Sequence, residues 1–488
     1  MKTSFKTLII REIQGAIIDF RFWVVLVLCM SIIPLSFYVS VKNYSQKLSD
    51  YQQEVQAYRD KTGSVGGFIR AEGVRPPSPL SIFSRGLDTK IPYKVITARE
   101  GNYIIEYAKP DTKQDLLGEI DFAFIIAFVL SILAIAFTFS AISGDKESGV
   151  LRGILSNAVL RRQVLMAKLF GNYVVFLVPF LISMMVALLI VYFTGIIQVF
   201  SKEFFTATLI MTGISLIFLF AMFNLGLWIS ALTQKSILSI NVLLLLWIIL
   251  GLVIPKISPI IASVIFPVES IGVFEAKKTL LRLSIEKEQN KEEEELYNKV
   301  RTQVNSELIG RRAGNVANGD WKIINSTYDE QVKPIKEKYE QQIISETEKL
   351  TNDYQIRCNK QNNFAKNISR FSPIYSINHL MAEFSCTGYS EVNHFKEQAK
   401  QFQATVKQEV YDKFEYKIYR SGGGTSSYMN RVDGNEDDEI PIPTLENYKH
   451  VSAAKVFQQN WVDVMLLCLF GLLFFVCGFF SFLRFDVR

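Results

Sequence analysis

The charged residues best suited to bind a partner lie in one short segment, Gly144–Gly171, between two apolar runs. They form an acidic–basic–acidic triplet, a single arginine, an arginine pair and a lysine: Asp145, Lys146, Glu147, Arg152, Arg161, Arg162 and Lys168. Side chains of these types form ion pairs, either with anionic lipid headgroups or with a protein docked at a membrane surface. The chemistry expected of this segment is therefore binding.

The patterns that indicate catalysis or nucleotide binding are missing from the sequence. There is no GxxxxGK[ST] phosphate loop, because the glycines of "SGGGTS" are not followed by a lysine. The three histidines, His379, His394 and His450, have no tight ligand spacing, which favours surface histidines over a metal site. No serine lies in a nucleophile-elbow context. We expect a chain that is not an enzyme and holds no catalytic residue, metal or cofactor of its own.

Six apolar stretches are long enough to be transmembrane helices. Hydrophobic residues make up 49% of the chain and charged residues 20%, so the two classes must be segregated along it. The predicted spans are approximately Phe22–Val41, Phe122–Ile142, Tyr173–Phe193, Phe205–Leu232, Ile237–Ile254 and Val464–Leu483. The prolines of "PKISPIIASVIFP" after the fifth span predict a bent or re-entrant tail. The net charge of +6 is small for 488 residues and argues against a nucleic-acid partner.

The lysines and arginines of the short connections predict the orientation in the membrane. If six helices alternate, one side receives Lys2, Lys6, Arg11, Arg21, the basic residues of Gly144–Gly171, Lys235, Arg484 and Arg488. That side is expected to be the cytoplasm, with both termini in it. The charges scattered through the N-terminal segment are unlike those of a cleavable signal peptide. We expect a multi-pass protein of the bacterial cytoplasmic (inner) membrane.

The predicted fold is an all-α polytopic membrane protein with an N-terminal amphipathic interfacial helix. It carries two extracytoplasmic domains, a small mixed α/β one and a large, mostly helical one with a helical hairpin. The predicted layout is an interfacial helix at 1–20, the first span at 21–41, extracytoplasmic domain 1 at 42–119, the second span at 120–142, a cytoplasmic segment at 143–170, spans three to five at 171–254, extracytoplasmic domain 2 at 255–463, and the sixth span with a cytoplasmic tail at 464–488.

The larger of these domains carries two helical patterns. One apolar stripe recurs every fourth residue at Leu296, Val300, Val304 and Leu308. A second runs from Tyr328 to Tyr354, and a Gly/Asn-rich break separates the two. The stripes predict an antiparallel hairpin at about 274–356, with two surface helices packed on the rest of the domain as the alternative.

Two other stretches of these domains have weaker patterns. Residues 421–443, rich in Gly, Ser and acid, predict a mobile loop. In the smaller domain, "YKVITAREGNYIIEY" predicts short strands. Cys358 and Cys386 could pair as a disulfide if their region lies in an oxidising compartment.

The segment Gly144–Gly171 itself has the pattern of a short amphipathic helix. Asp145 and Glu147 suit the first turn, where carboxylates complement the helix dipole. One apolar face follows at Val150, Leu151, Ile154 and Leu155, with Arg152 on the other side. Such a helix can dock into a groove on a cytoplasmic partner, or lie among lipid headgroups as a plain interfacial helix.

The sequence "FTFSAISGDKESGVLRGILSNAVLRRQVLMAKLFGNY" resembles the signature of type-2 ABC exporter permeases. The matching elements are Asp145-Lys146-Glu147, Gly149-Val150-Leu151 with Val in place of Thr, Leu155-Ser156, Arg161-Arg162 and Lys168-Leu169. An N-terminal amphipathic face, similar to the connecting helix of these permeases, consists of Phe5, Leu8, Ile9, Ile13, Ala16, Ile17 and Phe20. The stretch "ISRFSPIYSINHLMAEFSCTGYSEVNHF" resembles a subgroup with a large extracytoplasmic insertion before the last span.

The resemblance implies a permease subunit without its own nucleotide-binding motif. A separate cytoplasmic ABC ATPase dimer would use ATP and Mg²⁺, and a second permease chain, identical or different, would complete the path. The segment would be a coupling helix that contacts the ATPase through Asp145, Lys146, Glu147, Gly149, Leu151, Arg152, Leu155, Arg161 and Arg162. Membrane lipid and a periplasmic protein are the other expected partners.

Three polar residues of the spans, Asn224, Trp228 and Asn241, are candidates to line a translocation path. The alternative is that a buried asparagine ties helices together. Two other functions stay open at this point. One is an ATPase-driven mechanical relay without transmembrane cargo, and the other is a membrane-anchored extracytoplasmic sensor or scaffold.

Overall fold

Six helical segments of the described chain are long and apolar enough to cross a membrane. The structure is a computed structural model, and it describes residues 2–62, 71–97, 103–107, 120–156, 160–311, 320–408, 414–421, 424–431, 445 and 448–484. The candidate spans are Phe20–Arg59, Phe122–Glu147, Arg161–Thr194, Lys202–Leu232, Ser236–Ile265 and Ala453–Leu483. Each of them contains most or all of one predicted span.

The first span is part of a much longer helix than its apolar run. Helix α1 (Lys2–Ile18) is followed directly by α2 (Phe20–Thr62). The polar half of α2 is rich in good helix formers and has no glycine or proline, so nothing in the sequence ends the helix at the predicted boundary near Val41. The helix therefore continues into the region predicted as the smaller extracytoplasmic domain.

A three-stranded antiparallel sheet lies beside the polar half of α2. Its strands are β1 (Ala71–Val74), β2 (Pro92–Thr97) and β3 (Tyr103–Tyr107), in the order β1-β2-β3. The ammonium of Lys94 on β2 binds the carboxylate of Glu54 on α2 at 3.0 Å. This ion pair joins the sheet to the end of the long helix.

The second to fifth spans contain short irregular turns. The elements are α3 (Phe122–Phe124), a π turn (Ile125–Leu130), α4 (Ser131–Thr138), α5 (Ser143–Glu147), α6 (Val150–Ser156), α7 (Arg161–Thr194), α8 (Lys202–Leu232), α9 (Ser236–Ile248), a second π turn (Ile249–Val253) and α10 (Ile254–Ile265). The expected bent tail after the fifth span is instead helical through Ile265, with Pro259 inside the helix. The wider π turn comes directly before Pro255, where it leaves room for the proline ring.

The chain divides into two units, Met1–Ile254 with Arg370–Arg488, and Pro255–Ser369. In the second unit, α11 (Ile271–Arg311) and α12 (Asp320–Ser369) run antiparallel. Phe274 near the start of α11 stacks on Tyr354 near the end of α12, with ring centroids 4.2 Å apart. At the other end, Val300, Val304 and Ile324 form a small buried cluster.

The first unit resumes with α13 (Pro373–Phe384), α14 (Tyr389–Val406), β4 (Phe414–Ser421), β5 (Gly424–Arg431) and α15 (Ala453–Leu483). Strands β4 and β5 pair antiparallel from Phe414↔Arg431 to Ser421↔Gly424. Part of the stretch predicted as a mobile loop is therefore paired in antiparallel strands. Residues 422–423 and 432–443 of that stretch lie outside the described residues.

Helices α8 and α15 pack closely against each other, because two glycines of α15 face α8. A Cβ added at Gly478 would lie 3.3 Å from the Cα of Trp228, and one at Gly471 would lie 3.5 Å from the Phe220 ring. The indole of Trp228 stacks on Phe474 with centroids 6.0 Å apart. Small residues that let backbones approach are typical of helix pairs in membranes. We call the end of these helices that holds Gly144–Gly171 the basic end, and the opposite end the distal end.

Candidate functional site

The segment at the basic end consists of two short helices rather than the single helix predicted from its pattern. Helix α5 ends at Glu147, and Gly149 adopts φ +74° before α6 begins at Val150. A left-handed backbone is cheap only for glycine, so this residue type is what allows the chain to turn here. Asn157, Ala158 and Val159 lie outside the described residues, and α7 begins at Arg161.

A buried lysine joins three elements of the basic end. The Lys168 ammonium on α7 lies 2.6 Å from Asp145 Oδ2 on α5 and 3.3 Å from Glu12 Oε1 on α1. Its side chain is only 6% exposed, whereas the two carboxylates keep 25% and 22% exposure. A cation removed from water in this way needs both partners, so the ion pairs fix α1 and α5 against α7.

The other lysine of the triplet caps the end of α8. Lys146 Nζ donates to the carbonyl oxygens of Ala231 and, at 3.0 Å, Thr233. The last carbonyls of a helix lack intrahelical partners and carry partial negative charge, so an ammonium stabilises them. In return, the buried Ser230 hydroxyl accepts from the N–H groups of Ile142 and Ser143 at 3.0 and 2.9 Å.

Two more helix ends meet the segment through charged side chains. Glu147 Oε2 accepts from both the backbone N–H and the hydroxyl of Ser236, each at 3.1 Å, at the first residue of α9. Arg161 Nη1 donates to the Leu483 carbonyl at 2.8 Å, the last residue of α15. Both interactions match the helix dipole, an anion at an N-terminus and a cation at a C-terminus.

Apolar contacts anchor α6 under this polar layer. Leu151 is buried and belongs to a cluster with Leu165 of α7, Leu227 of α8 and Phe482 of α15. Ile154 and Leu155 are half-buried against the same cluster. Three of the four residues predicted as the apolar face of this helix therefore point inward.

The remaining side chains of the segment face outward. Val150 is 44% exposed, and Arg152, Gly153, Ser156 and Arg162 are exposed. A Cβ built at Gly153 meets no atom within 4 Å. Among the described residues, no partner forms a hydrogen bond or an ion pair with the guanidinium groups of Arg152 and Arg162. Gly149 is exposed too, so the outward face combines two free cations with a small apolar surface.

The candidate coupling residues thus divide into two groups. Asp145, Lys146, Glu147, Leu151 and Arg161 hold the segment to the helices. The two arginines named above, with Gly149, face away from the protein, and Leu155 lies between the two groups. The sequence pattern grouped these residues together and did not separate the inward-facing from the outward-facing ones.

The three candidate path residues do not share one surface. Asn224 is buried and donates from Nδ2 to the Phe220 carbonyl of its own helix at 2.9 Å. Trp228 packs against α15, as described above, whereas Asn241 of α9 is exposed. Within one chain, these residues are thus one buried polar group, one packing residue and one residue of an outward face.

The two cysteines proposed as a pair are both free thiols. Cys358 lies on α12 in the second unit, and Cys386 is buried in the turn between α13 and α14 of the first unit. Cys386 Sγ lies 3.6 Å from the Val451 carbonyl oxygen.

Sequence reasoning missed the partners that fix the segment, above all Glu12 and Ser230. One available signal was the position of Lys168 on α7, since Val164, Leu165 and Leu169 share its face. A lysine within an apolar stripe indicates a buried partner of opposite charge. Nothing in the sequence identified which carboxylates those partners would be.

Comparison with known families decides the class of this protein. The model of the ABC-2 family transporter protein matches residues 7–487. The chain belongs to the ABC-2 transporter family. Members are normally non-enzymatic, multi-pass permease subunits that work with an ABC ATPase partner. No curated protein gives a match to this ABC-2 transporter chain.

Proposed function

We propose that this ABC-2 chain is the permease subunit of an ABC-type exporter driven by a separate cytoplasmic ATPase. In this proposal both termini lie in the cytoplasm, the basic end faces the ATPase dimer, and a second permease chain completes the path. The ATPase uses ATP and Mg²⁺, and this chain supplies the surface on which it docks. The subgroup with a large extracytoplasmic insertion fits the position of the α11–α12 pair before the last span.

One observation carries the proposal: four helices are joined to Gly144–Gly171 through specific bonds. Lys168 reaches α1, Lys146 reaches the end of α8, Glu147 the start of α9, and Arg161 the end of α15. A plain interfacial helix needs none of these bonds. A segment fixed in this way moves with the helix ends as one body, which is what transmission of force from an ATPase requires.

The outward face has the chemistry of a docking surface. Arg152 and Arg162 present guanidinium groups that suit carboxylates of a partner, because the planar fork binds a carboxylate through two hydrogen bonds. Gly153 and the partly exposed Val150 between them leave a shallow apolar surface. The rival occupant of this face is anionic lipid, which would bind the arginines without requiring a close fit at Gly153.

The spans leave apolar surface for lipid and for a second permease chain. In the most apolar 18-residue stretch of Ser236–Ile265, only 17% of the residues are buried within the chain, whereas 61% are buried in the corresponding stretch of Phe122–Glu147. The exposed Asn241 lies on the first of these. We assign this face to the contact with the second permease, where Asn241 would border the path.

The docking role is tested by charge reversal on the outward face only. We expect Arg152→Glu with Arg162→Glu, and separately Gly153→Trp, to lower copurification of the ABC ATPase encoded nearest to this gene by about tenfold or more. Neither variant touches the bonds that hold the segment, so the thermal midpoint of the permease should not change. Arg484→Glu makes the same kind of charge change at an exposed site of the basic end, outside the segment, and is the matched control.

Undiminished ATPase recovery in both outward-face variants would contradict docking through this surface. Loss of anionic-lipid binding by the detergent-solubilised permease, without loss of ATPase recovery, would assign the arginines to lipid. Reversal of Glu147 or Arg161 is a poor test, because it breaks internal bonds to Ser236 and Leu483 as well.

The α11–α12 pair favours a second candidate function, a mechanical relay without transmembrane cargo. Helices of 41 and 50 residues are long for a substrate-binding domain, and their charged surfaces are typical of helices that extend into water. Because Phe274 and Tyr354 are neighbours, a short Gly-Ser linker can replace 275–353. If the α11–α12 pair transmits the mechanical work of ATP hydrolysis, this variant retains ATPase binding and ATPase activity but gives the phenotype of the gene deletion. If the protein is only an exporter, the same variant keeps its transport function.

A further inference from the structure

Three potential metal ligands from two parts of the chain meet at the distal end of the first unit. Cys386 lies in the turn after α13, Glu391 in the first turn of α14, and His450 in the segment before α15. One ligand atom of each residue, the thiol sulfur, a carboxylate oxygen and an imidazole nitrogen, lies within 4.8 Å of the other two. The spacing of these residues along the sequence gives no metal motif, so only the fold brings them together.

Glu391 is the centre of the cluster and is 1% exposed. Its Oε1 accepts from His450 Nδ1 and from the Tyr448 hydroxyl, both at 2.7 Å, and its Oε2 accepts from the Val451 N–H at 3.2 Å. These three hydrogen bonds hold the carboxylate in one position.

Cys386 is held in a strained conformation that places its thiol in the cluster. Its φ of 56° is the one positive value found for a non-glycine residue in the part of the chain that the structure describes. Such a backbone costs about 1–2 kcal/mol for a residue with a side chain. Strain of this kind persists where the surrounding structure or a ligand fixes it.

The nearby cation, Arg75, also binds a second carboxylate. Arg75 Nη2 lies 3.2 Å from Asp88 Oδ1, and Asp88 also binds Lys47. Burial raises the pKa of Asp88, but the charges of Lys47 and Arg75 lower it further than that, so it too is a carboxylate. Arg75 Nη1 lies 3.8 Å from Glu391 Oε1, too far for a hydrogen bond, and it has no hydrogen-bond partner among the described residues. Arg75 and Glu391 thus form a buried ion pair without a hydrogen bond.

We propose that Cys386, Glu391 and His450 bind one zinc ion. A thiol, an imidazole and a carboxylate form a ligand set that zinc accepts, and the thiol disfavours the hard cations Mg²⁺ and Ca²⁺. Binding displaces the proton of the Cys386 thiol, which passes to solvent, since the metal needs the thiolate. The neutral imidazole of His450 keeps its one proton, which moves from Nδ1 to Nε2, so that the Nδ1 lone pair faces the metal.

The surrounding groups suit the outer part of such a site. The Tyr448 hydroxyl and the Val451 N–H already orient the carboxylate, as outer hydrogen bonds orient metal ligands in known sites. The unpartnered Nη1 of Arg75 is available to a water or hydroxide that completes the coordination. The metal would fasten the start of α14 to the segment that leads into α15, the last span, and so would set the rigidity of the distal end.

The test uses the full-length protein in detergent micelles, with reduced thiols and after removal of bound metal by a chelator. We expect one zinc per chain, measured by elemental analysis after dialysis against zinc and then against metal-free buffer. Co²⁺ in place of zinc is expected to give the near-ultraviolet absorption of a sulfur–cobalt bond. Zinc should also raise the thermal midpoint of the protein, because it binds only the folded state.

Two ligand variants and one control make the assignment specific. Cys386→Gly removes the thiol and relieves the positive φ, so it is expected to fold and to bind zinc about 100-fold or more weakly. His450→Gln is expected to weaken binding similarly. Cys358→Ser, a thiol on α12 in the other unit, should bind zinc as the natural protein does. Absence of zinc from the natural protein, unchanged affinity in Cys386→Gly, or a cobalt complex without the sulfur band would each overturn the proposal.

Discussion

Removal of the Lys168 ammonium is the most direct test of whether α1, α5 and α7 form one body at the basic end. Lys168→Met keeps the length of the side chain and its fit within the apolar face of α7, but deletes the charge. The variant leaves Asp145 and Glu12 facing each other without a cation. Breaking a fully buried ion pair costs about 3–5 kcal/mol, mostly because the remaining charge stays buried without a partner.

The expected cost here is smaller, because both carboxylates keep about a quarter of their side-chain surface in contact with water. We expect about 2–3 kcal/mol for the contact of α1 and α5 with α7. This corresponds to an increase of about 30- to 150-fold in the population of the opened state. Hydrogen exchange of the backbone amides of Lys2–Ile18 and Ser143–Glu147, measured by mass spectrometry, reports such local opening.

The control and the rescue variant decide the cause. Lys6→Met removes an exposed lysine from α1 and should leave exchange unchanged. The triple variant Lys168→Met, Asp145→Asn, Glu12→Gln removes the unpaired charges and should recover most of the protection. If Lys168→Met exchanges as slowly as the natural protein, or if the triple variant opens as readily as the single one, the ion pairs do not hold these helices together.

Two further predictions concern packing and acid stability. Gly226→Ala places a Cβ 1.8 Å from Thr138 Oγ1 and forces α4 and α8 apart, so we expect a loss of about 1–3 kcal/mol of stability, measured as a lower thermal midpoint. Gly213→Ala, on the same helix with no atom within 4 Å of the new Cβ, should be neutral or stabilising. Equal effects at both glycines would refute the close contact at Gly226. Because the pKa of Asp88 is lowered in the folded protein, its contribution to stability is present above the ordinary value of 3.8 and is lost as the pH falls through the folded value. In the Asp88→Asn variant, the thermal midpoint should therefore decrease less than in the natural protein as the pH falls below 3.8. Asp50→Asn, at an exposed site, should leave this pH dependence unchanged.

The six spans were predictable because apolar length is a property of the sequence alone. Their ends were not, since α2 continues past Val41 through polar residues that simply remain helical. The prolines after the fifth span were misleading for a similar reason. Pro255 follows a π turn and Pro259 is accommodated inside a helix, and neither adjustment can be read from residue types.

The segment at the basic end shows the same limit at the level of single side chains. Its charges and apolar pattern marked it as a binding surface, but an exposed arginine and a helix-capping arginine look alike in sequence. Arg152 faces outward, whereas Arg161 caps α15, because the end of α15 lies next to Arg161 in the folded chain. That proximity joins residues far apart in the sequence and cannot be read from the local pattern. Likewise, Lys146 was counted with the surface charges, whereas the carbonyls of α8 make it an internal one.

The unbroken helix α2 has a mechanical consequence. Its 43 residues correspond to a rod of about 65 Å. Such a rod, pivoting by about 5° at its inner end, would displace its tip by about 6 Å, and Glu54 near that tip is tied to Lys94 of the sheet. A small tilt next to α1 would thus become a visible shift of the sheet. Pro34, inside the helix, has no backbone N–H to bond to the preceding turn, and bending there would reduce that shift.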